Sequence, residues 1–434
     1  MRVRPFFACV GLRRSFSAGR WGLVAQFPAP LKGRPSPQRE AIPPVSYWDG
    51  VVTLRSSEGA GNVGFREQAP GVKRIVAIVL AVFLIGGVAA AVVKGREEQG
   101  RSTATKTVRG VIGSEKAEFF ADPEVVKALA ARGYTVKTET SGSWAMEGLD
   151  LKGYDFAFPS SQAPAEELAA KYRVRQPLPR PFYSPLVVVA HRSAAEVLAR
   201  NGLATVGKKG NGTLGMAAYL KAAGDDRTWQ QLKGAEAHGE LSGTLFISTT
   251  DPTSSNSGAL YLAAASYVAD GGKVADGAAA VTRTAPLMRK LISVQGAQQT
   301  STDAAFRDFV SGVGNPLVLV YESQVAALLA QGQGVDDLTV LYPDTTTNSD
   351  HTVVPLTDEG RALGELLGAD KELRGLAVRH GFRPQGAAVE FTAATDAHTT
   401  YLNQKLTGVR QAPVPASKVL HEMARRARGQ GDSK

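Results

Sequence analysis

The chain has 434 residues, 43% hydrophobic and 21% charged, which is ordinary globular composition and enough for two core-bearing lobes. Its net charge of +10 is uneven: residues 1–72 carry ten Lys/Arg against four Asp/Glu, so the remainder is only mildly basic and lacks the basic, aromatic-interleaved stripe of a nucleic-acid surface. A single cysteine, Cys9, excludes internal disulfides and cysteine-based metal sites.

Residues 1–72 mix Pro, Gly, Arg and Ser without a period and read as a disordered basic segment, or as an upstream extension from a mis-assigned start codon. Residues 75–93 form an uncharged apolar run between Lys73-Arg74 and Lys94-Gly95-Arg96. At a rise of about 1.5 Å per residue it nearly matches a hydrocarbon core of roughly 30 Å, so 73–94 is read as a single transmembrane helix. It serves as an uncleaved anchor or as the apolar region of a signal peptide, with Ala89-Ala90-Ala91 offering small residues for cleavage. The longer basic flank is N-terminal, which places 95–434 outside the cytoplasm.

From Thr107 onward strands alternate with helices. Residues 108–112 read as a strand ending in the turn Gly113-Ser114-Glu115-Lys116, followed by a helix over 117–131 that Pro123 should bend or restart. Strands at 134–140 and 154–158 end in Ser141-Gly142-Ser143 and Pro159-Ser160-Ser161. Three Gly/Ser turns at the carboxyl ends of strands can converge on one cleft. A proline-rich passage, 177–185, leads into 186–191, a strand buried on both faces and the crossing to a second lobe. Residues 193–240 read as helical around a Gly/Lys-rich connector.

Residues 243–248 then alternate like a short strand, and the polar turn Thr249 to Ser257 opens a buried helix that stops at Gly271-Gly272. Such a turn gathers free N–H groups, the positive end of a helix dipole and several hydroxyls, the equipment for holding an anion or carboxylate without a metal. A helix over 304–311, a strand over 316–321 ending in Glu322-Ser323, extended segments at 338–343 and 351–356, and helices within 358–382 and 417–428 complete the chain.

Several motifs lack the context that their chemistry requires. Gly202 to Lys209 nearly spells a phosphate-binding loop, but Lys209 stands where a Mg²⁺-holding hydroxyl is needed. Gly210-Asn211-Gly212-Thr213-Leu214-Gly215 matches the dinucleotide fingerprint with no strand leading into it. Six scattered histidines show no metal-ligand spacing, and no cofactor is expected. Asp350-His351 beside Ser349 has no activated-serine motif to serve, which weighs against a hydrolase. Glu322 has two readings: a first-turn acid favoured by the helix dipole, or an acceptor for a ligand.

The order of these features resembles the extracytoplasmic solute-binding proteins of the periplasmic type II class, which serve ATP-binding-cassette importers. The resemblance rests on Gly113-Ser114-Glu115-Lys116, Thr140-Ser141-Gly142-Ser143, Tyr154 to Ser161, the crossing from Tyr183-Ser184-Pro185, the turn Thr250 to Gly258, and Val320-Tyr321-Glu322-Ser323. It covers about 107–430 and departs from common members in its long anchor without a lipobox and its Gly/Lys-rich connector. It implies an α/β, two-lobed periplasmic-binding-protein type II fold joined by hinge strands after a single transmembrane helix. Lobe 1 would take 105–186, lobe 2 would take 187–345, and 346–434 would return to lobe 1 and add the C-terminal helices. It further implies a non-enzymatic protein on the outer face of the cell membrane that clamps a small-molecule solute, an oxyanion or a carboxylate-bearing molecule, with an ABC permease as partner. The candidate contacts are Ser114, Lys116, Ser141, Gly142, Ser143, Ser160 and Ser161 from the first lobe, and Thr253, Ser254, Ser255, Asn256, Ser257 and Glu322 from the second. Two rivals stay open: a non-transporting sensor or interaction module on the same fold, and an α/β hydrolase.

Overall fold

Alternation along the first strand, β1 (Lys106–Ile112), sends Val108 and Ile112 to one face of a sheet and Val111 to the other. The computed structural model describes residues 105–207, 210–332 and 337–430; the basic segment 1–72 and the apolar run 75–93 lie outside them. Among the described residues no helix is long and apolar enough to cross a membrane.

After β1 the chain forms α1 (Ala117–Ala121) and restarts as α2 (Pro123–Ala131). The Asp122 side chain accepts from Glu124 N and caps the new helix, with Pro123 in its first turn, where a missing N–H costs nothing. Next come β2 (Tyr134–Thr140), β3 (Phe156–Phe158) and α3 (Gln162–Lys171). β2 and β3 flank β1 in parallel, so all three strands end at one edge. Phe156 and Phe158 join the core on one side of this sheet, and Ala157 packs with Met146 and Leu168 on the other.

β4 (Phe182–His191) begins in the first core and ends in the second. Phe182 packs with Phe119 and Phe382, whereas Leu186, Val188 and Ala190 face one side of the next sheet and Val187 and Val189 the other. Burial on both faces explains the uninterrupted apolar run. The second lobe continues with α4 (Arg192–Arg200), β5 (Ala204–Val206), β6 (Asn211–Leu214), α5 (Met216–Gly224), α6 (Asn256–Ala269), α7 (Ala278–Ser293), α8 (Thr302–Val310), β7 (Leu317–Tyr321), α9 (Glu322–Ala330) and β8 (Leu338–Pro343). β7 and β8 both pair antiparallel to the far half of β4, and β6 lies parallel to β8. β9 (Thr345–Thr346) follows, and β10 (Asn348–His351) pairs with the near half of β4, from Phe182 to Pro185. Two adjacent strands therefore carry the chain from lobe to lobe, and β11 (Val354–Pro355) then extends the first sheet beside β3.

The glycine-rich connector proves to be a hairpin: β5 and β6 pair antiparallel across 204–206 and 212–214. The centre of the dinucleotide lookalike, 211–214, is the strand β6 itself and not a turn that follows a strand. Residues 243–248, expected as a strand, meet the sheet at one rung only, where Ser248 N bonds to Leu317 O and Leu319 N to Ser248 O.

The C-terminal part divides differently from the expectation. Helices α10 (Asp358–Ala369) and α11 (Lys371–Arg379) pack in the first lobe, through Leu363, Leu367 and Leu373. β12 (Arg383–Pro384) pairs with the start of β4. From α12 (Ala388–Ala394) onward the chain lies against the second lobe: Phe391 and Leu402 join its core, and β13 (Arg410–Gln411) pairs with β9. The amphipathic α13 (Ser417–Ala427) buries Leu420, Met423 and Ala427 in the same core as α6 and α7. Its N-terminal half also grips the first lobe, through Ser417 Oγ donating to Ala163 O at 3.2 Å and His421 packed 4.5 Å from the Trp144 ring.

Candidate functional site

The turns that follow β1, β2 and β3 face the N-termini of α6 and α8 across the gap between the lobes, around a cavity of about 270 Å³. Its first-lobe wall is Gly113, Ser114 and Glu115, then Thr140 to Ser143, then Ser160; its second-lobe wall is Ser255, Asn256, residues 300–302 and Tyr321. Carboxyl ends of parallel strands on one side and helix N-termini on the other concentrate hydroxyls and backbone N–H groups at one point. The N–H groups of Asn256 and Ser257 have no acceptor among the described residues, and the Ser255 side chain makes no cap bond. Gly258, one turn in, lets the preceding loop fold over the helix: a Cβ there would stand 2.3 Å from Thr250 O.

Of the residues expected from the sequence, Ser114, Ser141, Gly142, Ser143, Ser160, Ser255 and Asn256 come together on the cavity wall. Ser160 and Ser143 are locked to each other, Ser160 N donating to Ser143 Oγ at 2.9 Å. Ser161 lies beside the lining and donates across the lobes to Asn256 Oδ1. Asn256 Nδ2 donates in turn to Tyr321 OH at 3.2 Å and to Ser349 Oγ at 3.3 Å, on the returning hinge strand.

The remaining expected residues stand off the wall. Thr253 turns back on its own loop, its N–H and hydroxyl donating to Asp251 Oδ1. Ser254 presents its backbone oxygen to Gly142, and Ser257 bonds Thr250 Oγ1 at 2.7 Å beneath the helix end. Glu322 is a correction. Fully buried, it is paired with Arg383, whose Nη2 donates to Oε1 at 2.9 Å, and it accepts from Tyr342 OH. Arg383 also donates to the carbonyls of Asn403 and Gln404, so this acid anchors the C-terminal loop to the second lobe and takes no place in the cavity.

Lys116 is also off the wall. Its ammonium is buried directly behind the first turn, bonded to Glu115, 3.1 Å from His351 Nδ1 and 4.8 Å from the centre of the Phe158 ring. Burial alone would raise the Glu115 carboxyl, but the Lys116 ammonium beside it outweighs burial and holds the group well below the usual carboxylate range. Burial lowers Lys116 against the pull of Glu115. Burial, then Lys116, push His351 down to about 4, so it is neutral at pH 7, and its Nε2 has no partner among the described residues. On the opposite wall, burial and then the Glu115 charge push the Tyr321 hydroxyl up, which keeps it protonated as a donor.

Glu115, Thr140, residues 300–302 and Tyr321 were not singled out from the sequence. Ser301-Thr302-Asp303 carried a usable signal, since a serine followed by an acid before an apolar period marks a helix start, and Ser301 Oγ does accept from Ala304 N. Glu115 and Tyr321 had none, because only tertiary placement turns them to the cavity.

No protein-family model and no curated protein matches the chain. Among solved structures, the chain is similar to a sulfate-binding protein of Mycobacterium tuberculosis at 17% identity and a TM-score of 0.46, over 72% of this chain and 93% of that one. It is similar to a periplasmic binding protein of Actinobacillus pleuropneumoniae, solved with fructose-6-phosphate, at 12% identity and a TM-score of 0.47, over 74% and 97%. It is also similar to the iron-bound HitA protein of Pseudomonas aeruginosa at 10% identity and a TM-score of 0.48, over 74% and 99%.

Proposed function

We propose that this chain is an extracytoplasmic, membrane-tethered solute-binding protein that closes two lobes on a small solute for uptake by an ATP-binding-cassette importer. The observation that carries the reading is the cavity between the lobes, lined by the strand-end turns of one and the helix N-termini of the other across a two-strand crossing. An oxyanion or carboxylate fits the second-lobe wall, where Ser255 and the first turn of α6 offer donors without a full countercharge. The tether rests on the apolar run 75–93 between basic flanks. Binding without turnover is supported by the surroundings of Ser255: its hydroxyl meets Ser257 Oγ at 3.4 Å, and the nearby imidazole, His351, is committed to Lys116 behind the wall.

Thermal unfolding of the full chain against oxyanions, amino acids, polyamines and sugars tests the reading, with Ser255→Ala as the control. A solute at a hundredfold over its Kd stabilises by about 2.7 kcal/mol, a shift of several degrees. One class raising the midpoint, with the shift erased by Ser255→Ala, supports the reading. If nothing shifts and native mass spectrometry finds no retained solute, a sensor or interaction module on the same fold replaces it.

A further inference from the structure

Glu115 is the one charged residue among the described residues of the lining, and its charge is negative. Its side chain is only 4% exposed. One oxygen, Oε1, is fully engaged: it accepts from Lys116 Nζ and from Ser160 Oγ at 2.6 Å, and lies 3.4 Å from His351 Nδ1. The other, Oε2, accepts nothing from the described residues. An ionised oxygen left open to the cavity by an otherwise buried side chain calls for a donor from whatever fills the cavity.

A second acid approaches from the opposite lobe. Asp303, in the first turn of α8 and next to the lining residue Thr302, accepts from the neutral donor Gln324 Nε2 at 2.7 Å, and the nearby Ser114 side chain also favours its charged form. Glu115 and Glu118 act on it with like charge and Lys116 with opposite charge, and Lys116 is bonded to Glu115. Burial, reinforced by Glu115 and Glu118, pushes the Asp303 carboxyl up, as expected for an acid without a cation of its own. Asp303 therefore adds an acid, and no cation, on the opposite lobe's side of the Glu115 wall, while Lys116 stays behind that wall. The wall formed by Ser255 and the start of α6 is donor-rich, so the cavity has a donor end and an acceptor end.

We propose that the solute is a zwitterion: its carboxylate meets Ser255 and the first turn of α6, and its protonated amine donates to Glu115 Oε2 in the field of Asp303. The proposal rests on the cavity being a solute-binding site. A hydroxyl would satisfy Oε2 but bring no positive charge to a wall with Glu115 on it and Asp303 opposite, and an oxyanion without a donor would set like charges against each other.

The test is calorimetric titration of the full chain at pH 7 with matched pairs that differ only in amine against hydroxyl: alanine and lactate, serine and glycerate, glutamate and 2-hydroxyglutarate, with sulfate as a donor-free oxyanion. In at least one pair the amino acid is expected to bind about tenfold or more tighter than its hydroxy acid. Glu115→Gln is expected to bring that ratio to about twofold or less, and Asp303→Asn to lower it in the same direction. Should Glu115→Gln fail to fold, Asp303→Asn and the wild-type pairs decide. Hydroxy acids or sulfate binding as tightly as the amino acids overturns the zwitterion while leaving the solute-binding reading intact. Absence of binding by any solute overturns both.

Discussion

Ser161 of the first lobe donates a hydrogen bond to Asn256 of the second, and the same amide holds Tyr321 and Ser349. One side chain at the start of α6 thus ties together the turn after β3, the end of β7 and the returning hinge strand. Contact between the lobes and the shape of the cavity consequently both depend on Asn256.

Asn256→Ala is expected to cost about 1–3 kcal/mol, because it leaves buried hydroxyls without partners. Solute affinity should fall at least about tenfold, since the closed state loses its link across the lobes. Urea unfolding and titration of the same preparation check this. Unchanged affinity alongside lost stability would mean that the amide serves the core and not the clamp.

Glu322 makes the opposite case. Glu322→Ala strands Arg383 in a buried site and should destabilise by about 3–5 kcal/mol, while Glu322→Met with Arg383→Met should recover part of that loss. Solute affinity, measured on folded protein, should stay within about twofold. A large loss of affinity in the double variant would return Glu322 to the ligand.

Gly142, on the cavity wall, is also where the two lobes approach closely through their backbones. A Cβ at this position would lie 2.6 Å from the Ser254 backbone oxygen, across the lobe boundary, so alanine must push the lobes apart. Gly142→Ala is expected to weaken solute binding at least about tenfold while shifting the solute-free unfolding midpoint by no more than a few degrees. A wild-type affinity in the variant would show that the two turns separate without loss.

What the sequence revealed and what it hid divide along local and non-local physics. β1, β2 and β4 could be read because alternation and continuous apolar runs are imposed by burial on known faces, and the break at Pro123 because proline acts on its own turn. Ser141, Ser143, Ser160 and Ser255 were legible as turn residues at strand and helix ends, which is where the cavity lies. The fate of Glu322 and Lys116 was not, since each is decided by a partner far along the chain, Arg383 and His351. Residues 243–248 have a strand's composition, but Leu317 and Leu319 provide only one rung for them. The hairpin at 204–214 resembled two nucleotide loops because glycine serves tight pairing as readily as phosphate binding.

His351 makes stability depend on pH in a defined window. Its ring is fully buried behind the cavity, with the pKa lowered from 6.5 to about 4 by burial and by Lys116. The unfolded chain therefore binds a proton more readily than the folded one, so this contribution is complete above pH 6.5 and is lost as pH falls toward 4. The loss is on the order of 3 kcal/mol at most. Glu115, also held below its ordinary pKa of 4.5, adds its own loss below that value, and Asp303 and Asp350, which burial pushes up, act with the opposite sign, so over the interval from 4.5 to 6.5 the histidine's share is the difference between the wild type and a variant that lacks it. Urea midpoints of the wild type should fall steadily across that interval. His351→Gln, which keeps an acceptor for Lys116 but cannot titrate, should flatten the slope there whatever its effect on stability at pH 7. Equal slopes in the two proteins would show that His351 does not set the acid limit of the fold.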